Sequence, residues 1–439
     1  MSWAEEELGA AELGDARRSR RLVRLVERLA EQPSVSIPAA CSGAAETKAA
    51  YRLLSHEAVG WSDILAPHLA SSLRRMNSEP VVLCLQDTTE LDFNGQAIDG
   101  LGPLSYEAQR GMYLHATYAV SPQRVPLGVL NAWMWAREPK RADASRGGLL
   151  ESVRWVEGYE RLAELAAGLP ATRLVCVGDR ESDLLALLVK ARELGHAADY
   201  LLRCQHNRVL PEGGKLWAAV MQSSPLGRLR FELPAGRGRK ARAVEQELRA
   251  QRLRLDDRAG GHIEVTCLIA SEVDTPAGAK PITWRLLTNR EAPTLTQAVE
   301  LLDWYRTRWE IELLFLTLKE GCRIEALQLS TIERIERALA LYLVVSWRIG
   351  LLMRLGRACP DGDAERLLTR EEWQAAWIVA RKRPPDKPPT LRKALHMIAA
   401  LGGFLGRKGD GEPGVKSLWI GLQRVASCVE GMRFRQRCG

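Results

Sequence analysis

Nine cysteines are scattered along the 439 residues, and no two form a C-x-x-C pair. No Cys/His cluster has zinc spacing, and an odd count in a long chain argues against a disulfide framework. Several thiols lie in apolar runs, such as Cys84 in VVLCL and Cys176 in RLVCV, and read as buried in a reducing compartment. The apolar stretch 338–347 is too short to span a bilayer and is flanked by Arg334, Arg337 and Arg348. The opening MSWAEEELGAAEL is acidic and lacks an apolar centre, so it does not read as a signal peptide. There is no internal repeat and no low-complexity tract. What is there is ordinary globular composition, 46% hydrophobic and 26% charged, over a length that suits two to four folding units. The net charge of +8 and pI near 9.1 favour an anionic partner, nucleic acid first and anionic lipid second.

Residues 1–60 read as helical. Asp15 is placed to cap a helix over 16–31, where Leu22, Leu25, Val26 and Leu29 form an apolar stripe and Arg17, Arg18, Arg20, Arg21, Arg24 and Arg28 occupy the rest. A second helix is predicted over 44–54, with Lys48 and Arg52 on it. Two basic helices suit DNA docking, and they suit a solvated basic face equally well. From residue 80 the pattern changes. Strands are predicted at 81–86, 112–120 and 125–135, the last two joined by a tight turn at 121–124. A helix follows at 149–168, a strand at 173–177, a helix at 182–194 and a strand at 200–204. That order describes a mixed α/β sheet with helices packed on it. Residues 207–292 form a β-rich insertion. Helix returns at 294–319 and 332–355. A Pro-rich basic connection follows at 381–389, and terminal helices are expected at 391–403 and 415–429.

The chemistry concentrates in LLDWYRTRWEIELLFLTLKEG. On one uninterrupted helix, Tyr305, Arg308, Glu312 and Lys319 fall at about 0, 300, 340 and 320°. A tyrosine, a carboxylate and two cations then share one stripe, with Trp309 beside it. By itself the stripe reads first as an ion-paired surface face, with Arg308 and Glu312 an ordinary i,i+4 pair. Two aspartates change the weighing. Asp87 ends the run VVLCLQ and Asp179 follows RLVCVG, and polar residues just beyond buried strands are where α/β folds build sites. Each alone is also a plain turn residue. Three carboxylates that converge suit Mg²⁺, which takes oxygen ligands, and a pair of such ions can clamp both oxygens of an in-line displacement at phosphorus. Arg308 and Lys319 would then hold non-reacting phosphates, and Tyr305 can bond a phosphate oxygen.

These motifs resemble the IS-four family of bacterial insertion-sequence transposases, the group of the Tn-five transposase. The family signature Y-x2-R-x3-E-x6-K is met without a gap by Tyr305, Arg308, Glu312 and Lys319. QDTTELDF carries Asp87 where the family has a D-T-T motif. GDRESD carries Asp179 where it has D-R-E-x-D. The separations of 92 and 133 residues leave room for the family's β insertion. The resemblance covers nearly the whole chain. It implies a ribonuclease-H-like α/β catalytic core over 71–358 with the β-rich insertion at about 207–292, a helical end-binding domain over 1–70 and a helical dimerisation region over 359–439. The expected activity is cut-and-paste transposition. Asp87, Asp179 and Glu312 would be the catalytic and metal-binding triad, with two Mg²⁺ ions, Mn²⁺ substituting. The partners would be double-stranded DNA, both transposon ends and target, and a second copy of the chain, in the cytoplasm on the nucleoid and at no membrane.

By position, Trp284 in PITWRLLTN matches a tryptophan that stacks on a flipped base during hairpin formation, and it reads alternatively as a strand-core residue. Arg203 matches a DNA-contacting arginine, with His206 and Arg208 as assistants or as locally satisfied groups. Arg17, Arg18, Arg21 and Arg52 match end-binding positions. Arg237, Arg239, Lys240 and Arg242 would touch the DNA backbone or line a solvated loop, and His115 reads as structural. The C-terminal region departs most from the family pattern. A catalytically silent DNA-binding relative and a ribonuclease-H-like nuclease without strand transfer stay open at this point.

Overall fold

The computed structural model describes residues 2–141, 143, 146–147, 150–234 and 240–438. Its strands, in chain order, are β1 (Val81–Asp92), β2 (Gly102–Pro103), β3 (Arg110–Val120), β4 (Pro126–Trp135), β5 (Arg173–Gly178), β6 (Asp199–Arg203), β7 (Gly227–Leu233), β8 (Arg242–Asp256), β9 (His262–Val273) and β10 (Thr283–Thr288). The chain folds into two compact units. One gathers residues 1–75, 88–148 and 310–439, and the other residues 76–87 and 149–309.

In the second unit, the first half of β1 runs parallel to β5, with Val81 opposite Arg173 and Leu85 opposite Val177. β5 runs parallel to β6, and the order then continues antiparallel through β10, β9, β8 and β7. The inner strands are apolar on both faces, as strands covered on two sides must be: Val82, Leu83, Cys84, Leu85, Val175, Cys176 and Val177 are all fully buried. The helix Val153–Ala167 closes tightly over β1. A Cβ on Gly158 would lie 2.3 Å from Gln86 Oε1, so glycine lets the helix approach while Gln86 donates to Cys176 Sγ at 3.2 Å. The β-rich insertion is therefore part of this sheet, because β10 pairs directly with β6. It opens with a helix, Leu216–Gln222, that the sequence pattern did not reveal.

The other unit is mostly helical. The expected helices at Ala16–Glu31 and Ala44–Leu54 are present with those bounds, and Asp15 caps the first by accepting from Arg17 N at 2.7 Å. Trp3–Leu8, Trp61–Met76 and Arg370–Val379 are additional helices. β2, β3 and β4 form an antiparallel set joined by the expected turn, with Ser121 N bonded to Val125 O. Ile332–Ala358 is the central helix. It is long and apolar enough to cross a bilayer, but 83% of its apolar window is buried inside the fold. Its polar groups are spent locally: Arg337 donates to Val59 O and Leu54 O, Trp347 Nε1 to Pro126 O, and Arg354 pairs with Glu310. An apolar surface on every side is what a core helix requires. Below it lies a buried polar node. His68 Nδ1 meets Glu7 Oε1 at 2.5 Å, Arg75 forks onto the same carboxylate, and Val129 N donates to His68 Nε2 at 2.9 Å. The amide at Nε2 needs a lone pair, so the imidazole is neutral and donates through Nδ1. Burial lowers the His68 pKa, consistent with that tautomer.

Two expectations change. β1 does not end before Asp87 but continues to Asp92, because residues beyond it are bonded sideways: Tyr113 OH donates to Glu90 and Phe93 N to Arg110 O. The helix predicted over 294–319 is not continuous. It runs from Leu295 to Arg306, breaks at Thr307 and Arg308, resumes at Trp309–Leu316 and ends in a wide turn, Thr317–Gly321. Arg308 N bonds three residues back to Tyr305 O, and Cys322 N bonds five residues back to Thr317 O. Neither geometry advances by 100° per residue, so angles drawn for one unbroken helix do not carry across these joints.

Candidate active site

The site begins at β1 and β5. Their last paired residues are Leu85 and Val177; Asp87 lies two residues further along β1, and Asp179 lies just past the end of β5. Asp87 accepts a hydrogen bond from Arg308 Nη1 at 2.7 Å, and both side chains are largely sheltered from solvent. Asp179 heads a short 3-10 turn and accepts from Glu181 N at 2.8 Å. Ser182 Oγ reaches back to Asp179 O at 2.6 Å, and only glycine fits at 178, where a Cβ would sit 2.4 Å from that hydroxyl. The turn that carries Asp179 is thus fixed by its own backbone bonds.

A second cluster stands on β6, β10 and the end of the helix Leu295–Arg306. The Arg203 guanidinium lies 4.8 Å from the Trp284 ring centroid and 6.0 Å from that of Tyr305, and its Nη2 donates to Thr283 O. Trp284 and Tyr305 meet edge to face at 5.4 Å. Burial raises the Tyr305 pKa; the charges of Arg308 and Arg203 oppose this, and that of Asp179 adds to it. Tyr305 is therefore a neutral donor at physiological pH, within electrostatic reach of Asp179, Arg308 and Arg203. Burial lowers the Arg203 pKa. Trp284 is half-buried, with Arg203 already over its ring.

The structure thus brings together Asp87, Arg308, Asp179, Tyr305, Arg203 and Trp284 within one unit. Glu312 is half-buried on Trp309–Leu316, and Lys319 lies in the wide turn, 3.9 Å from Glu325. Among the described residues, no three His, Cys, Asp or Glu side chains stand close enough to form a ready metal cage. Two carboxylates remain an apt set for Mg²⁺, which binds through one or two carboxylates and fills its octahedron with water and substrate phosphate.

Sequence reasoning missed Asp183. Its buried carboxylate accepts from Gln205 N at 2.7 Å and His206 N at 2.8 Å and pairs with Arg208 at 2.6 Å. It ties the turn after β5 to the loop after β6, which is the role His206 and Arg208 serve here. The signal was a second aspartate in GDRESD. Of the end-binding candidates, Arg17 and Arg52 are exposed and Arg21 is half-buried, while Arg18 donates to Leu13 O at 2.6 Å. Arg242 pairs with Glu272, Lys240 is exposed, and Arg237 and Arg239 lie outside the described residues. His115 is structural, buried against Thr88.

Residues 1–59 match the transposase DNA-binding family, residues 157–347 the transposase DDE domain, and residues 344–438 the transposase Tn5 dimerisation domain. The DDE match includes Asp179, Tyr305, Arg308, Glu312 and Lys319, and Asp87 lies before it. Among solved structures, the cryo-EM structure of the piggyBac transposase synaptic complex with hairpin DNA is similar at 9% identity and a TM-score of 0.36, over 84% of this chain. This chain spans 57% of that chain's length. The three tandem matches define the class: the chain belongs to the DDE transposases. Within that class, it is a member of the Tn5-like insertion-sequence group.

Proposed function

We propose that the protein is a cut-and-paste DNA transposase with a ribonuclease-H-like core. It binds the inverted-repeat ends of its element as a homodimer, cuts them and joins their 3′-OH groups to target DNA, acting in the cytoplasm on the nucleoid. Residues 1–70 bind ends, 71–358 carry the chemistry and 359–439 pair the protomers. The observation that supports this most directly is the placement of Asp87 on β1 and of Asp179 just past the end of the neighbouring β5, with Arg308, Tyr305 and Arg203 beside them.

Asp87 and Asp179 would hold Mg²⁺ or Mn²⁺, with Glu312 as the third carboxylate. A bound pair of such ions supplies positive charge to the attacking and leaving oxygens of an in-line displacement. Arg308 holds Asp87 in the resting protein, and it is the group that turns to a non-bridging phosphate oxygen when DNA enters. Tyr305, kept protonated, donates to another. Lys319 adds a point charge. Arg203 and Trp284 form a cation–aromatic platform for an unstacked base once Arg203 shifts onto phosphate. Every step has one form. An oxygen nucleophile bonds to phosphorus and a P–O3′ bond breaks. Water yields the nicked 3′-OH, that hydroxyl closes a hairpin on the opposite strand, water reopens it, and the 3′-OH then attacks the target.

The test is end cleavage. Asp87→Ala, Asp179→Ala and Glu312→Ala should each slow cutting of cognate ends in Mg²⁺ by about a thousandfold or more, with end binding retained. Any one that cuts within tenfold of wild type removes that residue from the triad. Pre-cleaved ends that yield no joined product would reduce the function to a nuclease.

A further inference from the structure

The chain's positive charge is not where the DNA-binding match lies. Residues 1–59 carry eight Lys and Arg against nine Asp and Glu, a net of −1. Residues 381–416, inside the dimerisation match, carry nine against three, a net of +6 out of +8 for the whole chain. In the N-terminal segment Arg24 and Arg28 both pair with Glu46. In 381–416 Arg392 pairs with Glu412, and Lys416 lies 4.0 Å from Glu320. Arg381, Lys382, Lys387, Lys393, Arg407 and Lys408 are exposed and make no ion pair among the described residues. Arg383 meets only Asp386, with both side chains nearly fully exposed.

Their backbone is held ready. Pro384, Pro385, Pro388 and Pro389 stiffen the first stretch, which lowers the entropy lost when its cations are fixed against a ligand. Gly406 and Gly409, both at positive φ, bracket Arg407 and Lys408 in a tight turn closed by Asp410 onto Arg407 N at 2.8 Å. Between the two stretches lies a cleft of about 540 Å³ lined by Lys382, Arg392, Lys393, Phe404 and the exposed Leu405, together with Asp361 and His396. Cations beside apolar side chains suit the phosphates and deoxyriboses of a duplex backbone.

We infer that residues 381–416 form a second, sequence-independent surface for the backbone of double-stranded DNA, separate from end recognition and from the cleavage site. The duplex is either target or the donor DNA flanking the element, and the chemistry is the same for both. Each phosphate neutralised releases counterions, so the surface must show itself in salt dependence.

The experiment uses the full chain and the triple variant Lys382→Glu/Arg383→Glu/Lys387→Glu, all at exposed positions where folding is not at risk. Affinity for a 30-base-pair duplex without element ends is measured from 50 to 200 mM NaCl. The slope of log affinity against log salt should fall by about 2 to 3, and affinity at 100 mM by about tenfold or more. An unchanged slope and affinity overturns the inference. So does a change confined to oligomeric state in sedimentation, which would make the segment a protein interface. Two further arms identify the source. Weaker capture of a plasmid by pre-cleaved ends supports target DNA, and weaker binding only of ends that retain a flank supports donor DNA. The inference stands apart from the cleavage chemistry. A chain that binds random duplex through this surface yet never cuts would sink the transposase reading and leave the surface in place.

Discussion

The N-terminal and C-terminal helical segments meet DNA's charge in opposite ways. The first has nearly as many cations as acids, and the acids do structural work. Glu46 clamps Arg24 and Arg28, and Glu7 sits in a buried node with His68 and Arg75. The second sets nine cations against three acids, most of those cations exposed and outside any ion pair among the described residues, on a proline-stiffened frame. A segment with no net charge draws little from long-range attraction, so its contribution must come from a few exact contacts, which is what distinguishing one DNA sequence from another needs. A segment with a large unpaired excess attracts any duplex and reads none.

Three changes would break or sharpen this contrast. The largest effect belongs to Arg17→Ala/Arg21→Ala/Arg52→Ala. End affinity should fall about a hundredfold in a competition assay, at roughly 1–3 kcal/mol per lost specific contact, while random-duplex affinity changes less than threefold. If both fall together, the N-terminal segment is another electrostatic surface and the contrast is gone.

Next is Glu7→Gln. Burial pushes this carboxyl up, but hydrogen bonds from His68 and Arg75 and the Arg75 charge overrule it and hold it at about 2, against 4.5 in an unfolded chain. A depressed carboxylate adds stability that is present above pH 4.5 and lost as pH falls toward 2, here about 3 kcal/mol. Neutral His68 loses stability in the same direction as it is forced to charge below its ordinary value. Acid titration of the melting temperature should show this fall in wild type and a flatter curve in Glu7→Gln, whose stability at pH 7 should be lower by about 3 kcal/mol. Equal curves would mean the acid is dispensable.

The smallest effect is Glu46→Ala. Arg24 keeps Glu27 and Arg28 keeps Glu31, so the loss of one acid should raise random-duplex affinity two- to threefold, by about one added phosphate contact, and cost under about 1 kcal/mol because the pairs are partly exposed. A drop in affinity would show that Glu46 orients the arginines for DNA instead of muting them.

How much of this the sequence revealed depended on whether the signal was local. Ala16–Glu31 and Ala44–Leu54 were legible because caps and apolar spacing lie within the segment. β5 was legible because a fully buried strand is a continuous apolar run. The extension of β1 past Asp87 was not, since Thr88, Thr89 and Glu90 are held by a neighbouring strand that no local pattern announces. The break at Thr307 and Arg308 has no proline or glycine to mark it. Asp87, Asp179, Tyr305 and Arg308 were found through motif order, while Asp183 was passed over because its partners lie more than twenty residues away. Thr369 and Glu372 did form a capping box that could have revealed Arg370–Val379.

The interrupted helix alters what the motif Y-x2-R-x3-E-x6-K records. Tyr305 closes one helix, Arg308 stands in a turn, Glu312 rides a second helix and Lys319 occupies a wide turn. The spacing therefore does not run along one unbroken helix, and a rotational phase drawn from it does not carry across the two joints. A designer who copies the motif must copy the irregular backbone at 307–308 and 317–321 with it.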